Sequence, residues 1–505
     1  MRLLFLLFLF WTGILSAQSP EYHRDIAPLI LRSCMPCHQG DNIGPMALTT
    51  YKKVAAYGQM IRYVTQEKLM PPFRAVAPTD HFVGERRLSE KEIATIGAWV
   101  KAGMPKGEPS RGELSPLPSP PPFDTDLILS MDESFEQYGV YYDQYRVFVL
   151  PTGLTEDKWV SGISFEPGNR SIVKGVMISV DTSDKYQALD EWDPEYGYFS
   201  FGELGFVPDE SRWYSWAAGQ DAEILPEGKA KWLPKDARLL VHVHYGPTGI
   251  RQRDSSVVKL RWAKVPAPRP IRTAPLINPY VMTNDTFAVA AGEVYRVHAK
   301  FRVPFDLEIS SLFPHAHFLG RKFEVFATLP DGRSTKLLLR IDDWDFHFKQ
   351  GYELLNPILL PAGSVVHTLV TYDNTSANLA NPNDPPRAMG WGKRMYKEML
   401  LVYFSYQPVK KSSLLKPGPV NISSPQGEVE LELPSNNVFD LEIVDFSGDN
   451  HRVVLKEKSF SKGNHRVVYD LKGLPFGNYV FQLKDEEGQI VGERIFLYLA
   501  SDLFD

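Results

Sequence analysis

Cysteine is almost absent from this chain: the 505 residues include two, Cys34 and Cys37. Two cysteines this close together cannot build the disulfide framework that stabilises many secreted domains. The fold must therefore be stabilised by the burial of apolar surface. Because both cysteines stand in one pentapeptide, we expect them to have a separate chemical role.

Long apolar runs are also lacking after the first residues, which argues against a membrane span in the body of the chain. At the N-terminus, Arg2, an apolar run over residues 3–11 and the small pair Ser16-Ala17 are typical of a secretory signal peptide. We predict a signal peptide over residues 1–17 and no membrane span after its removal. An uncleaved anchor is the alternative. Either way the protein is exported, to the periplasm, the cell surface or the medium.

The chain has no strong excess of one charge. Its 55 Lys and Arg residues are interspersed with 61 Asp and Glu residues, for a formal net charge of −6. This pattern argues against nucleic acid as a partner. The length predicts about three or four domains.

Composition divides the chain into segments. Amphipathic runs predict a small all-α domain, with a capping box at Ser89 and Glu92 before its last helix. A Pro- and Ser-rich linker follows, and beyond it short β-branched and aromatic runs alternate with turns, which predicts all-β sandwiches. The predicted segments are 18–107 (all-α), 108–124 (linker), 125–266 and 267–410 (two β-sandwiches) and 420–505 (a C-terminal β-sandwich).

The two cysteines belong to Cys34-Met35-Pro36-Cys37-His38, a C-x-x-C-H motif that is the attachment signature of c-type haem. Each thiol adds to one vinyl group of the porphyrin, and the adjacent histidine reaches the iron from the same side. A thioredoxin-like redox pair is the rival interpretation, but no βαβ pattern surrounds the motif. Zinc would need a second cysteine pair. We therefore predict covalent haem c with His38 as an iron ligand.

The second axial ligand is predicted at Met70, which stands before two prolines that can hold a thioether against iron. A His/Met pair gives the raised potential of electron-transfer cytochromes. Three other methionines of the segment remain alternatives: Met46, Met60 and Met104. The segment, and its Met-Pro step in particular, resembles class I cytochrome c domains, which implies a cytochrome c domain over residues 18–107.

Two His-x-His pairs stand out in the β region, His242/His244 and His315/His317. Residues i and i+2 of a strand share one face, so each pair can direct two imidazoles at one metal ion. Imidazole suits copper, zinc, iron and nickel, and a nearby thioether favours copper. Paired strand histidines can also simply face solvent, so the spacing alone leaves both interpretations open.

Around these pairs lie four phrases: FEPGNR (165–170), VHYG (243–246), PHAH (314–317) and KEML (397–400). In this order they resemble the catalytic core of the copper type II, ascorbate-dependent monooxygenases, the family of peptidylglycine α-hydroxylating monooxygenase and dopamine β-hydroxylase. The resemblance covers about residues 160–406. Bacterial relatives in that family are often fused to an N-terminal cytochrome c domain, as in this chain.

The resemblance implies two jelly-roll-like sandwiches that face each other across a solvent-filled cleft. It also implies that His315, His317 and Met399 hold the copper that binds O₂ and hydroxylates the substrate, with both histidines on one strand and the methionine on a later one. Soft sulfur beside two imidazoles stabilises Cu(I), as O₂ activation requires. In the family, a second copper with three histidines supplies an electron.

At that second site the sequence departs from the family. An adjacent histidine pair is expected soon after the Pro167-Gly168 turn, but this chain has Lys174-Gly175. A protonated lysine offers no lone pair to copper. His244 alone remains of the three histidines, and His242 is its one candidate partner. We predict that the second copper is absent and that the haem supplies electrons in its place.

Residues 420–505 resemble the C-terminal sorting domains of type IX secretion, through phrases such as residues 439–448 and 474–480. They lack the basic tail often seen there, and a plain accessory sandwich is the alternative. The choice separates a cell-surface from a periplasmic location.

The sequence thus predicts an exported haem c- and copper-containing oxidoreductase of the monooxygenase type. Its expected partners are O₂, a periplasmic electron donor and a small-molecule or peptide substrate of unknown identity. The competing hypothesis is a non-catalytic electron-transfer cytochrome or copper-binding protein on a degenerate monooxygenase scaffold, which the Lys174-Gly175 substitution favours.

Overall fold

The computed structural model describes residues 19–76, 82–108, 123–265, 268–392, 394, 396–409 and 413–501. The predicted signal peptide and most of the predicted linker lie outside these residues. Over the described part the protein is mostly β, with several sheets packed as sandwiches. The chain divides into two compact units, a smaller one of Met1–Gln39, Met46–Pro72 and Arg86–Pro118, and a larger one of Gly40–Pro45, Phe73–Glu85 and Ser119–Asp505.

The described secondary structure of the smaller unit is helical. It comprises a π-helical turn (Tyr22–Ile26), α1 (Ala27–Ser33), α2 (Tyr51–Ala56), α3 (Gly58–Gln66) and α4 (Glu90–Lys101). The predicted capping box is present, because Ser89 and Glu92 exchange hydrogen bonds at the start of α4. Tyr22, Val54 and Trp99 pack in one apolar core. Among the described helices of the whole chain, none is long and apolar enough to cross a membrane.

The larger unit begins with a short strand from within the predicted all-α segment. Strand β1 (Ala75–Val76) pairs with a strand of the second sandwich, where Ala75 lies opposite Ile341. Phe73 and Phe82, on either side of β1, are buried in the core of that sandwich. Residues 73–85 are therefore part of the β unit.

The first sandwich has two sheets, in the orders β14-β10-β5-β13-β2, with β9 on β5, and β7-β4-β11-β6-β8. Alternate residues of β11, such as Leu239, Val241 and Val243, face the core between them. The strands are β2 (Leu127–Ser130), β3 (Phe135–Gln137), β4 (Gln144–Pro151), β5 (Lys158–Glu166), β6 (Val173–Asp181), β7 (Tyr198–Phe199), β8 (Glu210–Ala217), β9 (Glu223–Ile224), β10 (Lys229–Leu233), β11 (Arg238–Tyr245), β12 (Gln252–Asp254), β13 (Val257–Trp262) and β14 (Arg269–Pro270), with α5 (Gln187–Trp192) between β6 and β7.

The second sandwich packs the sheet β1-β20-β19-β22-β17 on the sheet β15-β24-β18-β21. Strand β14 pairs with the first sandwich, so the division falls at about residue 271 rather than at 266. The strands are β15 (Arg272–Ile277), β16 (Ala288–Val289), β17 (Val294–Arg302), β18 (Leu307–His315), β19 (Gly320–Thr328), β20 (Thr335–Ile341), β21 (Tyr352–Leu360), β22 (Val365–Asp373), β23 (Met389–Gly390) and β24 (Leu401–Pro408), with short 3₁₀ turns at Pro279–Val281 and Phe346–Phe348.

The C-terminal segment forms a third, smaller sandwich, in which the sheet β25-β31-β30-β27-β28 covers the ribbon β26-β29. Its contacts with the second sandwich are polar as well as apolar, since Asn478 Nδ2 donates to the Leu276 carbonyl. The strands are β25 (Asn421–Ile422), β26 (Gln426–Leu433), β27 (Asn437–Asp445), β28 (His451–Phe460), β29 (Gly463–Asp470), β30 (Gly477–Asp485) and β31 (Ile490–Tyr498).

Candidate functional site

The C-x-x-C-H motif begins where α1 ends. Cys34 caps that helix, and the amides of Cys37 and His38 donate to the Cys34 carbonyl at 3.2 and 3.0 Å. This turn brings the three side chains of the motif onto one short stretch of backbone. The His38 Nδ1 atom lies 3.0 Å from the Met46 carbonyl, to which it can donate. With the proton on Nδ1, the lone pair of His38 is on Nε2, the atom that a haem iron would take.

The two thiols are poorly placed for redox catalysis. Burial raises the pKa of Cys34 to about 12, and burial also raises the pKa of Cys37 despite the Arg86 guanidinium, which donates to its sulfur at 3.6 Å. Catalytic dithiols depend on a lowered thiol pKa. The local chemistry therefore disfavours the thioredoxin-like interpretation.

The candidate methionine ligands differ in environment. Met70 follows α3, about a third of its surface is exposed, and its amide donates to the Val64 carbonyl at 3.0 Å. Met60 is half exposed, and Met104 packs tightly against Gly58. Met104 is thus engaged in packing, while Met70 presents its side chain outside the apolar core.

His315 and His317 are both fully buried, and their rings lie 5.4 Å apart, nearly perpendicular. Strand β18 ends at His315, so His317 lies in the loop that follows it. The resemblance had implied that both histidines share one strand, and this expectation is wrong. Both ring nitrogens of His315 and Nε2 of His317 are buried without a hydrogen-bond partner among the described residues. Such orphaned atoms are costly unless something else binds them.

Strand pairing brings Met399 to this pair. His315 lies opposite Leu401 at the start of β24, two residues beyond Met399. Met399 is fully buried, and the Tyr372 hydroxyl donates to its carbonyl at 2.8 Å. Strand pairing therefore brings the backbone of Met399 to the same end of the β18–β24 pair as His315 and His317.

Two backbone contacts fix His317. Its Nδ1 lies 2.9 Å from the Lys397 carbonyl, which directs the lone pair to Nε2, the same arrangement as in His38. The Trp344 indole donates to the His317 carbonyl at 3.1 Å. The ring is thereby oriented before any ligand binds.

Glu398 holds the turn that carries His317. Its fully buried carboxylate accepts from the amides of His317, of Leu319 at 2.8 Å and of Met399 at 3.2 Å. Burial raises the pKa of Glu398 to about 8, although these amide bonds lower it. The sequence analysis did not single out this residue, although it stands beside Met399 in the KEML phrase.

The space beside His315 is filled by side chains of the first sandwich. Arg212 donates to Glu203 Oε1 at 2.7 Å, both side chains are buried, and Glu203 Oε1 lies 4.0 Å from His315 Nε2. The Arg212 guanidinium also stacks 4.3 Å from the Phe313 ring centre. The two sandwiches therefore pack closely here, whereas the resemblance implied a solvent-filled cleft.

The second histidine pair lies on the outer face of β11, as predicted from its spacing. The rings of His242 and His244 both contact Tyr145, on the face opposite to the Val243 side chain. His242 Nε2 lies 2.8 Å from the Ser200 carbonyl. With the proton on Nε2, the lone pair of His242 is on Nδ1, so Nδ1 is the one atom of this ring that a metal could take.

Asp143 stands just before β4 and lies among three nitrogen-bearing side chains. Its carboxylate lies 3.0 Å from His244 Nε2, 2.8 Å from His347 Nδ1 and 2.7 Å from Lys174 Nζ. Burial alone would raise the pKa of Asp143, but the hydrogen bonds from His244, His347 and Lys174 hold it well below its usual value. The Lys174 ammonium is therefore matched by a carboxylate.

Gly175 stands where the second histidine of the expected pair would be, and the backbone of the neighbouring strand limits the space for a side chain there. A Cβ atom at this position would lie 3.0 Å from the Trp216 carbonyl oxygen in the neighbouring strand β8. Any larger side chain would need the backbone to move. Both positions of the Lys174-Gly175 step thus argue against a second copper.

Lys349 is the most unusual cation of this region. Burial, and after it the nearby Arg212 charge, lower the pKa of Lys349 to about 7, although the Glu203 and Asp143 carboxylates raise it. Its ammonium lies 3.7 Å from the centre of the Phe346 ring. It borders a cavity of about 20 Å³ between the first two sandwiches. Lys349 and Asp143 carried no signal in the sequence, because both lie between strands and outside any motif.

Over the described residues, no group of three or more His, Cys, Asp and Glu side chains is arranged to hold a metal ion. The predicted set of His315, His317 and Met399 is of another kind, because its third member is a thioether. Its buried, unpartnered ring nitrogens fit a soft metal such as copper.

Comparisons with known proteins identify no family. No family model matches the chain, and no curated protein matches it. Among solved structures, a β-glucuronidase of Lactobacillus rhamnosus aligns with 41% of this chain and 35% of its own, at 11% identity and a TM-score of 0.13. A protein of the T13 IBDV viral particle aligns with 57% of this chain and 77% of its own, at 11% identity and a TM-score of 0.14. The chain thus spans about a third of the glucuronidase, and neither likeness carries an argument.

Proposed function

We propose that this chain is an exported, haem c- and copper-containing oxidoreductase of the monooxygenase type, with copper held by His315, His317 and Met399. One observation carries the proposal. Three imidazole nitrogens, two on His315 and one on His317, are buried without a partner among the described residues, beside a buried methionine. A bound metal would take one nitrogen of each ring and so offset the cost of burying those two atoms.

When bound, copper would supply the binding and one-electron reduction of O₂. The chain's own residues hold the ligands in place. The Lys397 carbonyl sets the tautomer of His317, and the Glu398 carboxylate fixes the turn that presents it. Outer contacts of this kind commonly change metal affinity by about 10–100-fold when they are removed.

Haem c, on Cys34 and Cys37, would supply electrons one at a time, with His38 and Met70 as proposed axial ligands. The Met46 carbonyl supports this role, because it leaves Nε2 of His38 free for iron. The predicted C-terminal sorting role and the periplasmic or extracellular location belong to the same proposal, with O₂, a periplasmic electron donor and a small-molecule or peptide substrate as partners.

The region around Asp143 supports a single-copper centre. Lys174 is paired to that carboxylate at 2.7 Å, and Gly175 leaves no space for an imidazole. The electrons that the family takes from its second copper would then come from the haem of the same chain.

A second candidate function is favoured by the close packing at His315. His315 and His317 have no exposed surface, and Arg212 and Glu203 are packed beside them. A centre without access for a substrate suits electron transfer better than hydroxylation. The second candidate is therefore a non-catalytic electron-transfer or copper-binding protein.

Metal analysis of the purified holoprotein tests the proposal by counting copper against haem iron. We expect one copper per haem, loss of copper in His315→Ala, and retention of copper in His367→Ala, which removes a histidine of β22 away from this set. Copper that survives in His315→Ala, or its absence from the wild-type protein, would contradict the proposal.

Reoxidation of the reduced protein by O₂ separates the two candidates. In the monooxygenase-type centre, His315→Ala slows reoxidation of the haem strongly. In the electron-transfer protein the variant and the wild type reoxidise at the same rate.

A further inference from the structure

Besides the ring nitrogens of His315 and His317, a charged group of this region also lacks a hydrogen-bond partner among the described residues. It is the Lys349 ammonium, which is not one of the proposed copper ligands. Lys349 Nζ is buried, and no described residue offers it a hydrogen-bond acceptor. Its immediate contacts are aromatic, with Nζ 3.7 Å from the Phe346 ring centre and 5.6 Å from that of Tyr145. Cation–π contacts offset only part of the cost of removing an ammonium from water.

The neighbouring ionic groups do not neutralise Lys349, because they neutralise each other. Arg212 pairs with Glu203 at 2.7 Å, and Lys174 pairs with Asp143 at 2.7 Å. The other groups that face Lys349 are histidines, and proximity to its charge lowers the pKa of each: His242, His244, His315 and His317. Three cations and two carboxylates therefore share the space between the sandwiches, which leaves one positive charge unmatched.

A cavity lies beside the unmatched charge. It measures about 20 Å³ and is lined by Lys349 and Gln350 from the second sandwich and by Tyr145, His242 and Ser215 from the first. A space of this size holds about one water molecule or an ion of similar size. Its lining offers an ammonium, a side-chain amide and a hydroxyl as donors.

We propose that the cavity between the first two sandwiches is a binding site for one small monovalent anion, such as chloride, held by the Lys349 ammonium. The anion completes the ion pairs of the interface, so its binding stabilises the packing of the two sandwiches. An anion as large as gluconate does not fit a space of about 20 Å³.

Thermal unfolding of the holoprotein in chloride tests this proposal. Chloride replaces gluconate at constant ionic strength, and gluconate serves as an anion too large for the cavity. We expect Tm to rise with chloride along a saturating curve, because a ligand that binds the folded state alone stabilises it. Lys349→Met removes the charge while keeping the apolar stem length, and we expect it to abolish the chloride dependence.

Lys322→Met is the matched control, because Lys322 is an exposed lysine of β19. It should retain the chloride response of the wild-type protein. A response that persists in Lys349→Met would place the anion elsewhere, including at copper, and would overturn the proposal. A Tm that is insensitive to chloride in the wild type would do the same.

Crystals of the wild-type protein grown in bromide provide a readout that needs no variant. We expect an anomalous bromide peak within hydrogen-bonding distance of Lys349 Nζ. A cavity without such a peak would contradict the proposal even if Lys349→Met failed to fold. The bromide peak at Lys349 Nζ does not require copper, so its absence is distinguishable from failure of the proposed oxidoreductase function.

Discussion

The two His-x-His pairs of this chain are alike in sequence and opposite in environment. His242 Nε2 lies 2.8 Å from the Ser200 carbonyl, and His244 Nε2 lies 3.0 Å from the Asp143 carboxylate in an ionic contact without regular hydrogen-bond geometry. In His315/His317 three ring nitrogens have no partner within the described part of the chain. The motif provides the imidazoles in both cases, and the neighbouring residues decide whether a ligand is still needed.

The comparison extends to the charges around each pair. Near His244 the Lys174 cation has its own carboxylate, Asp143, at 2.7 Å. At His317 the nearest carboxylate, Glu398, is used by backbone amides and not by a cation. One pair therefore belongs to a closed ionic network around Asp143, and the other keeps ring nitrogens that no described residue binds.

The largest expected effect comes from Glu398→Ala, which removes the carboxylate that holds the turn carrying His317. The substitution leaves the buried amides of His317, Leu319 and Met399 without acceptors, at about 1–3 kcal/mol each. We expect the free energy of unfolding in urea to fall by about 3 kcal/mol or more, with Glu398→Gln intermediate.

Glu324→Ala is the control, since Glu324 is exposed on β19. Its unfolding free energy should match that of the wild type. If Glu398→Ala lost no more stability than this control, the turn that carries His317 would be held by something other than Glu398.

The next effect concerns pH and the unmatched lysine. The folded pKa of Lys349 is lowered to about 7 from 10.5, so between these values the unfolded chain binds more protons. Stability must therefore rise with pH in this window and be lowest below pH 7, by at most about 1.4 kcal/mol per pH unit. We expect the pH dependence in chloride-free buffer to be flatter in Lys349→Met than in the wild type. Equal slopes would mean that Lys349 is solvated.

Local signals in the sequence predicted local structure well. Ser89 and Glu92 form the expected capping box, and the shared face of His242 and His244 follows from the two-residue period of a strand. Each depends on residues within a few positions of one another. The same locality explains the C-x-x-C-H turn, whose hydrogen bonds join neighbours in the chain.

Features that depend on distant residues were not predictable. Ala75 joins a sheet edge opposite Ile341, and Glu203 and Arg212 fill the space beside His315, although nothing in their own neighbourhoods indicates it. Lys349 meets its aromatic and charged neighbours only once both sandwiches have formed. The candidate ligands were thus predictable as residue types, and their accessibility and charge balance were not.

A smaller effect is expected from Lys174→Met, which breaks the closed network. The Lys174 and Asp143 side chains are 23% and 11% exposed, so loss of the cation leaves a mostly buried carboxylate. We expect a loss of about 1–2 kcal/mol at pH 7. Because a carboxylate with a lowered pKa stabilises the fold above its unfolded pKa, the variant should also lose less stability than the wild type as pH falls through 4. If urea unfolding showed the same loss of stability at low pH in the variant as in the wild type, this prediction would be contradicted.

The smallest effect is expected at His347, the most exposed partner of Asp143. Its side chain is 50% exposed, and its removal leaves Lys174 and His244 beside the carboxylate. His347→Ala should change the free energy of unfolding by about 0–1 kcal/mol and leave the copper-to-haem ratio unchanged. Loss of copper in this variant would mean that the metal binds near His244 and not at His315 and His317. Asp143, His244 and His347 would then be the metal ligands, and the unpartnered nitrogens of His315 and His317 would need another explanation.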